Sequence, residues 1–189
     1  MKKIKIGISG SHSTGKSTFI KRLEESLEKR SISFKSVSSI AVNCPLPILH
    51  DHTVESTLWI ASRNIADEIE TENKYEVVIV DRPILDCWAY FYTVCKDRYS
   101  DDCPKLKTLK SMISNWLPTY DLIYQTVIDT NIPIEDSKGR DLDDDYRNRI
   151  GNEMVLTSKL FNVTPRSLSS NNTDEEIEVT LKKIYEKIM

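Results

Sequence analysis

A three-layer α/β fold around a parallel sheet is the architecture this chain predicts, on three observations. Segments with strand-like alternation take turns along the chain with segments of helical period. Val77-Val78-Ile79-Val80 is a short, wholly apolar run ending in Asp81, the pattern of a strand covered on both faces. Between the first strand and the first helix lies Gly10-Ser11-His12-Ser13-Thr14-Gly15-Lys16-Ser17-Thr18, a glycine-bounded turn rich in hydroxyls and carrying a lysine.

The elements follow in order. Ile4, Ile6 and Ile8 alternate up to Gly10 and read as a strand. Lys5 is ill suited to a strand buried on both faces and is expected near its N-terminal end. From Lys16 to Lys29 the period becomes helical, with Phe19, Leu23 and Leu27 four apart. Ser33 to Val42 predicts a second strand, broken by Cys44-Pro45-Leu46-Pro47. Val54 to Glu72 predicts a helix with Leu58, Ile65 and Ile69 on one side. Pro83 opens a helix through Trp88, Phe91, Tyr92 and Cys95, and Asp101 to Pro104 reads as a loop. Leu106, Leu109, Ile113, Trp116 and Leu117 mark the next helix, stopped by Pro118.

Asp121 to Ile128 predicts a strand, and Asp129 to Asp145 is polar, with Pro133 and Gly139. A helix then runs to about Phe161, and Val163 to Leu168 is a weak fifth strand. Asn172-Thr173-Asp174 caps a last helix, Glu175 to Ile188. No internal repeat or linker divides the chain, so residues 1–189 are expected as one domain.

Composition narrows the function classes. Hydrophobic residues make 39% and charged residues 29% of the 189, a globular balance. Lys+Arg 26 against Asp+Glu 29 leaves a net charge of −3, which argues against binding polyanions by bulk positive charge. No apolar run reaches the roughly 18–20 residues that cross a bilayer, and the N-terminus lacks the pattern of a signal peptide. A cytoplasmic protein that contacts no membrane is the expectation. Cys44, Cys87, Cys95 and Cys103 form no CxxC pair and read as free thiols, mostly buried.

The Gly10–Thr18 turn matches G-x-x-x-x-G-K-[ST] in the right setting, between a strand and an amphipathic helix. Its chemistry needs that layout. Successive backbone N–H groups must point inward to hold phosphate oxygens, and side chains at the glycine positions would obstruct them. The following helix offers its positive dipole end to the same anion. Of the 5 glycines in the chain, Gly10 and Gly15 lie in this turn and Gly7 in the strand just before it. Lys16 is expected to reach the β- and γ-phosphates of a nucleotide, and the Ser17 hydroxyl to ligate Mg²⁺. Gly10, Ser11, His12, Ser13, Thr14, Gly15 and Thr18 complete the cradle.

Asp81 closes a central strand, so in a parallel sheet it lies at the edge that also carries Lys16. A carboxylate there binds Mg²⁺, directly or through water, or takes a proton from an acceptor hydroxyl. Arg82 is placed to pair with a substrate phosphate or a neighbouring carboxylate. Asp86 is expected to orient Arg82 or to cap the next helix.

Together, Gly10 to Thr18 and Asp81-Arg82-Pro83-Ile84-Leu85-Asp86-Cys87-Trp88-Ala89-Tyr90 resemble the small P-loop kinases related to nicotinamide riboside kinase and to thymidylate and deoxynucleoside kinases. Pro133-Ile134-Glu135-Asp136-Ser137-Lys138-Gly139-Arg140 is similar to that group's step into its lid. The resemblance spans roughly residues 4–160 with these three anchors in order. It implies a P-loop NTPase fold with five parallel strands in the order 2-3-1-4-5 and a helical lid at about 133–150. The chain departs from the group after the second strand, where Ser38 to Asn43 holds neither the acidic residue nor the arginine that members often place there.

In the lid, mobile arginines neutralise charge during transfer and exclude water on closure. Arg140 is the first candidate by its motif position, with Arg147 and Arg149 behind it. Trp59 and Arg63 are candidates to line an acceptor pocket, against packing of Trp59 in the core. His50-Asp51-His52 reads as a solvated loop rather than a metal site, for want of a third ligand.

The combined expectation is an ATP- and Mg²⁺-dependent phosphotransferase using Lys16, Asp81, Arg82 and Arg140. Its acceptor would be a small molecule, foremost a nucleoside or nucleoside monophosphate. A kinase for hydroxyls in DNA or RNA is one alternative, disfavoured by the acidic balance, and an ATP-binding regulatory switch is another. A homodimer is compatible with the sequence.

Overall fold

The computed structural model describes residues 2–128 and 143–188. Five parallel strands form one sheet: β1 (Ile4–Ser9), β2 (Phe34–Val37), β3 (Val77–Asp81), β4 (Leu122–Thr126) and β5 (Arg166–Leu168), in the spatial order β2-β3-β1-β4-β5. This is the predicted order. Six α-helices accompany them: α1 (Lys16–Glu28), α2 (Val54–Glu72), α3 (Ile84–Cys95), α4 (Pro104–Trp116), α5 (Asp144–Leu160) and α6 (Thr173–Ile188).

The alternation in β1 sorts its side chains to two faces. Ile4, Ile6 and Ile8 pack with Phe19, Leu23 and Leu27 of α1 and with Leu181 and Ile184 of α6. On the opposite face Val78 and Val80 of β3 pack with Val37 and Tyr120, and α2 lies against β2 and β3, with α3 and α4 packed on α2 and α5 packed on α3. The register pairs Ile8 with Asp81 and Ile6 with Leu122, so the ends of β1, β3 and β4 share one edge of the sheet.

Strand lengths differ from the sequence expectation for a geometric reason. β2 keeps its ladder only over Phe34–Val37, opposite Val77–Val80, because β3 ends at Asp81. The chain beyond it leaves the sheet through a 3-10 turn, Ala41–Asn43. β4 and β5 are likewise shorter than Asp121–Ile128 and Val163–Leu168.

Lys5 does sit near the N-terminal end of β1, yet it is 3% exposed. It is buried with partners rather than solvated. Its Nζ donates to Glu68 Oε2 at 3.0 Å and pairs with Glu72, and it lies 4.4 Å from the Trp116 ring centroid. Glu68 is fully buried and also accepts from Trp116 Nε1 at 2.8 Å and from the Tyr120 hydroxyl at 2.6 Å. A buried carboxylate persists when every lone pair finds a donor. This junction ties β1, α2, the end of α4 and the start of β4.

The stripe of α2 that turns fully inward is Val54, Thr57, Ala61, Asn64 and Glu68, whereas Ile69 is 44% exposed. The apolar side expected at Leu58, Ile65 and Ile69 is therefore not the deepest one. The inner face is polar because it meets Lys5 and the cleft described next.

Candidate active site

A cleft of about 450 Å³ opens along the carboxyl edge of the sheet. Its floor is the Gly10–Thr18 turn. Gly10 has φ +149, and a Cβ there would fall 1.8 Å from Thr126 Oγ1. Gly15 has φ +87 with nothing within 4 Å of a built Cβ. The two glycines thus serve different ends: Gly10 admits the β4 side chain, and Gly15 supplies the left-handed backbone that opens α1. Thr14 Oγ1 stands 2.6 Å from Thr126 Oγ1 and donates to the Ser11 carbonyl at 2.9 Å, which pins the turn to β4.

Lys16 is 6% exposed, and its Nζ donates to the Ser11 carbonyl and lies 3.5 Å from Thr14 Oγ1. Its charge is therefore folded over the turn, beside the exposed Ser17 and Thr18 at the start of α1. His12, 5% exposed, and Ser13 line the same cleft. Backbone N–H groups, a helix start and an ammonium converge here, an arrangement that receives anions.

Asp81 faces this turn across the cleft. Its Oδ1 is buried with no hydrogen-bond partner. It does not cap α3, whose N-cap is Pro83 with no side-chain capping bond. A buried carboxylate oxygen left open at the end of a strand can accept a cation or a hydroxyl proton.

Arg82 adopts φ 67, a strained conformation for a residue with a side chain. Its Nη1 donates to the Gly10 carbonyl at 3.0 Å and to the Tyr90 hydroxyl at 2.7 Å, and lies 3.8 Å from Asp86 Oδ2. Asp86 Oδ2 in turn accepts from Gly10 N at 3.3 Å. Asp86 therefore orients Arg82 and ties α3 to the turn, one of the two roles its position suggested. Burial pushes its carboxyl up to about 6, against the pull of the Arg82 guanidinium.

Among the lid candidates, Arg140 lies outside the described residues, as does most of the 133–150 segment. The described part starts α5, capped by Asp143, whose Oδ1 accepts from Asp145 N and Tyr146 N. Arg147 is 2% exposed and donates from Nη2 to the Ser13 carbonyl at 3.0 Å. Arg149 is exposed, 5.8 Å from the Tyr146 ring centroid. The helix thus turns Arg147 toward the cradle and Arg149 away.

Along α2 the structure decides between the readings that the sequence left open. Trp59 packs against the α2–α3–α4 core, and the Arg63 side chain is 54% exposed beside Asp67. Neither lines the cleft. Thr57, Ile60 and Asn64 of α2 do, with Ile48, Leu49 and His52 before it. His52, read from sequence as solvated, is 5% exposed. Burial lowers its pKa to about 4. Tyr90, which ends the Asp81–Tyr90 anchor, also lines the cleft, a role the sequence analysis did not assign it. No signal pointed to Asn64, because the apolar spacing of α2 marked a different stripe from the one that turns inward. None pointed to His52 either, whose carbonyl is held by Cys95 and Arg98 from another part of the chain.

Among the described residues no three His, Cys, Asp or Glu side chains cluster as metal ligands, and no helix is long and apolar enough to cross a membrane. Of the four free cysteines, Cys87 and Cys95 are buried and Cys44 and Cys103 half-buried.

Two solved structures share this architecture. Thymidylate kinase from Candida albicans superposes with a TM-score of 0.66 at 17% identity, covering 97% of this chain and 92% of that one. Deoxyadenosine kinase from M. mycoides, with bound dATP, gives 0.67 at 15% identity, covering 96% and 99%. No curated protein matches the sequence. The profile of the AAA domain family matches residues 5–164. With its phosphate-binding turn inside that span, the chain belongs to the AAA domain family, and its P-loop fold is of the kind found in nucleoside and nucleotide kinases.

Proposed function

We propose that this protein is a kinase that moves the γ-phosphoryl group of ATP to a small acceptor, foremost a nucleoside or nucleoside monophosphate. One observation carries the reading: the open, buried Oδ1 of Asp81 faces the cleft that also holds Lys16 and Ser17. A binding turn alone would need no such group. A transfer site needs one to accept the proton of the attacking hydroxyl or to help hold the metal. The fold shared with a thymidylate kinase and a deoxyadenosine kinase supports an acceptor of that class.

The donor set suits ATP with Mg²⁺. Gly10 to Thr18 would hold the phosphates through backbone N–H groups, with Lys16 on the β- and γ-phosphates. Mg²⁺ commonly binds through one or two carboxylates together with substrate phosphates. Here the Ser17 hydroxyl and the Asp81 carboxylate would hold it, and its chemistry would be neutralisation of the charge shared by the phosphates. The chain's own residues do the rest. Lys16 orients the donor. Asp81 draws the acceptor hydroxyl toward the line of transfer. Arg82, fixed by Gly10, Tyr90 and Asp86, offers positive charge where it develops. Arg147 reaches the cradle from α5, and Arg140 is assigned to the lid by its motif position. Residues 1–189 act as one domain with the lid at about 133–150.

The test is acceptor-dependent ADP release with ATP, Mg²⁺ and a panel of nucleosides and nucleoside monophosphates. A phosphorylated acceptor is expected, and Lys16→Ala abolishes it. ADP released at the same rate with and without every acceptor would overturn the kinase reading.

A further inference from the structure

Arg82 stands in a left-handed backbone conformation that is costly for a residue with a side chain, and such a conformation persists only where the surroundings hold it. One restraint is local: its N–H donates to the Ile8 carbonyl at 3.1 Å. Its side-chain partners Asp86 and Tyr90 both belong to α3, so the place of the guanidinium follows from where that helix begins. The start of α3 lacks the usual device. Its N-cap is Pro83, which offers no side-chain acceptor.

The acceptor comes instead from 36 residues along the chain. Ile84 N donates to the Tyr120 hydroxyl at 3.4 Å. The same hydroxyl donates to Glu68 Oε1 at 2.6 Å, and the other oxygen of Glu68 is held by Lys5 and Trp116. Burial, and after it the Glu68 carboxylate, push the Tyr120 pKa well above the usual phenol range. The hydroxyl therefore keeps its proton for Glu68 while its lone pair accepts from Ile84. Gly7 completes the support. It lies in β1, between β3 and β4, and a Cβ there would fall 3.0 Å from Pro83 Cβ and 3.3 Å from Tyr120 Cδ1. The bare glycine lets Pro83 and Tyr120 close onto the strand.

We propose that Tyr120 and Gly7 are positioning residues for phosphoryl transfer: the Tyr120 hydroxyl and the open space at Gly7 set where α3 begins, and α3 holds the Arg82 guanidinium in place beside the phosphate-binding turn. The proposal deepens the kinase reading and rests on it. Neither residue lines the cleft, so both act through Arg82. Asp81 needs no such help, because it pairs within the β3 ladder opposite Ile8. Lys16 depends on α1 and on the Ser11 carbonyl. The influence of Tyr120 and Gly7 thus falls on one charged group of the site. A group displaced by about 1 Å can cost on the order of a hundredfold in rate, because the transition state is far less tolerant of position than the bound substrate is.

The experiment is a double-mutant cycle in the full-length protein. The acceptor is the best of adenosine, guanosine, cytidine, uridine, thymidine and their monophosphates, and radiolabelled ATP resolves the slow variants. The kcat and the ATP KM are measured for wild type, Tyr120→Phe, Gly7→Ala and Arg82→Ala, and for the first two substitutions each combined with Arg82→Ala. Arg82→Ala is expected to lower kcat by about a hundredfold. Tyr120→Phe and Gly7→Ala are each expected to lower it by about tenfold while the ATP KM stays within about twofold. Added to Arg82→Ala, each is expected to change kcat by less than about twofold, because the group they position is gone. A purely structural role would lower kcat by the same factor in both backgrounds, and that result would overturn the proposal. An unmoved kcat in either folded single variant would overturn the assignment of that residue. The two substitutions remove different supports, so loss of folding in one leaves the test to the other. These results leave the kinase reading standing. Failure of the wild type to phosphorylate any acceptor would instead remove that reading, and this proposal with it.

Discussion

Two parts of the cleft are built on opposite principles. At the phosphate-binding end the polar groups are charged and hold one another: Arg82 with Gly10, Tyr90 and Asp86, Lys16 with Ser11, Arg147 with Ser13. Along α2 and the segment before it they are neutral and left open, as His52 and Asn64 are. The difference teaches how one cavity divides two tasks. A polyanion is held by preformed charge and oriented N–H groups, which work on any nucleotide. Neutral polar atoms buried in the wall work differently, because each unmet bond is costly.

That contrast can be broken by mutation, and the largest effect belongs to the charged end. Lys16→Ala is expected to lower kcat/KM for transfer by on the order of a thousandfold or more, with the melting temperature nearly unchanged. Steady-state kinetics beside a thermal melt separate the two readouts. A tenfold loss or less would mean that the charged end is not where transfer is driven.

Next is the junction around Glu68. Glu68→Leu leaves Lys5 with Glu72 as its carboxylate partner and removes the acceptor of Trp116 Nε1 and of the Tyr120 hydroxyl. Breaking a buried ion pair from one side costs about 3–5 kcal/mol, to be read in urea unfolding. Because Glu68 lies one turn beyond Asn64, the surviving folded enzyme is expected to lose acceptor affinity before ATP affinity. Equal losses for both would show that α2 serves the whole cleft rather than one part of it.

A pH effect of about 3 kcal/mol follows from His52. Burial holds its imidazole neutral down to about pH 4, whereas in the unfolded chain it protonates near 6.5. Between those values the unfolded chain binds more protons. The contribution of this group is therefore intact above pH 6.5 and is lost as the pH falls toward 4. Asp86 works in the other direction, because its raised pKa favours the folded state at low pH and that contribution fades as the pH rises through about 6. Denaturant titrations of wild type and His52→Leu isolate the histidine: the wild type loses stability relative to the variant between pH 7 and 5. Parallel curves would mean that His52 is not held neutral.

The smallest effects distinguish two neighbours on α5. Arg147→Ala, which removes a buried contact to the cradle, is expected to weaken ATP use by about tenfold. Arg149→Ala is expected to change it by less than about twofold, in keeping with its exposed position. Reversal of that order would place a different face of α5 over the nucleotide.

What could be read from residues alone follows the reach of the interactions involved. The Gly10–Thr18 turn and the apolar β3 run are local: each depends on a few consecutive residues and their dihedral preferences, so spacing reveals them. That Lys16 and Asp81 line one cleft followed from one more step, that parallel strands end at one edge. The resemblance to small kinases added the strand order that the sheet indeed has.

Only the tertiary structure decided which polar residues are buried and what they face. Lys5 is awkward in isolation and settled once Glu68 arrives from 63 residues away. Trp59 and Arg63 looked suited to a pocket, yet the pitch of α2 turns Thr57, Ile60 and Asn64 inward instead. His52 carries no local mark of burial, because the groups that hold its carbonyl, Cys95 and Arg98, come from another helix. Backbone turns are fixed by short-range sterics, and so sequence specifies them. The solvation of a side chain is fixed by whatever distant segment packs over it, and so it is known only once the chain has folded.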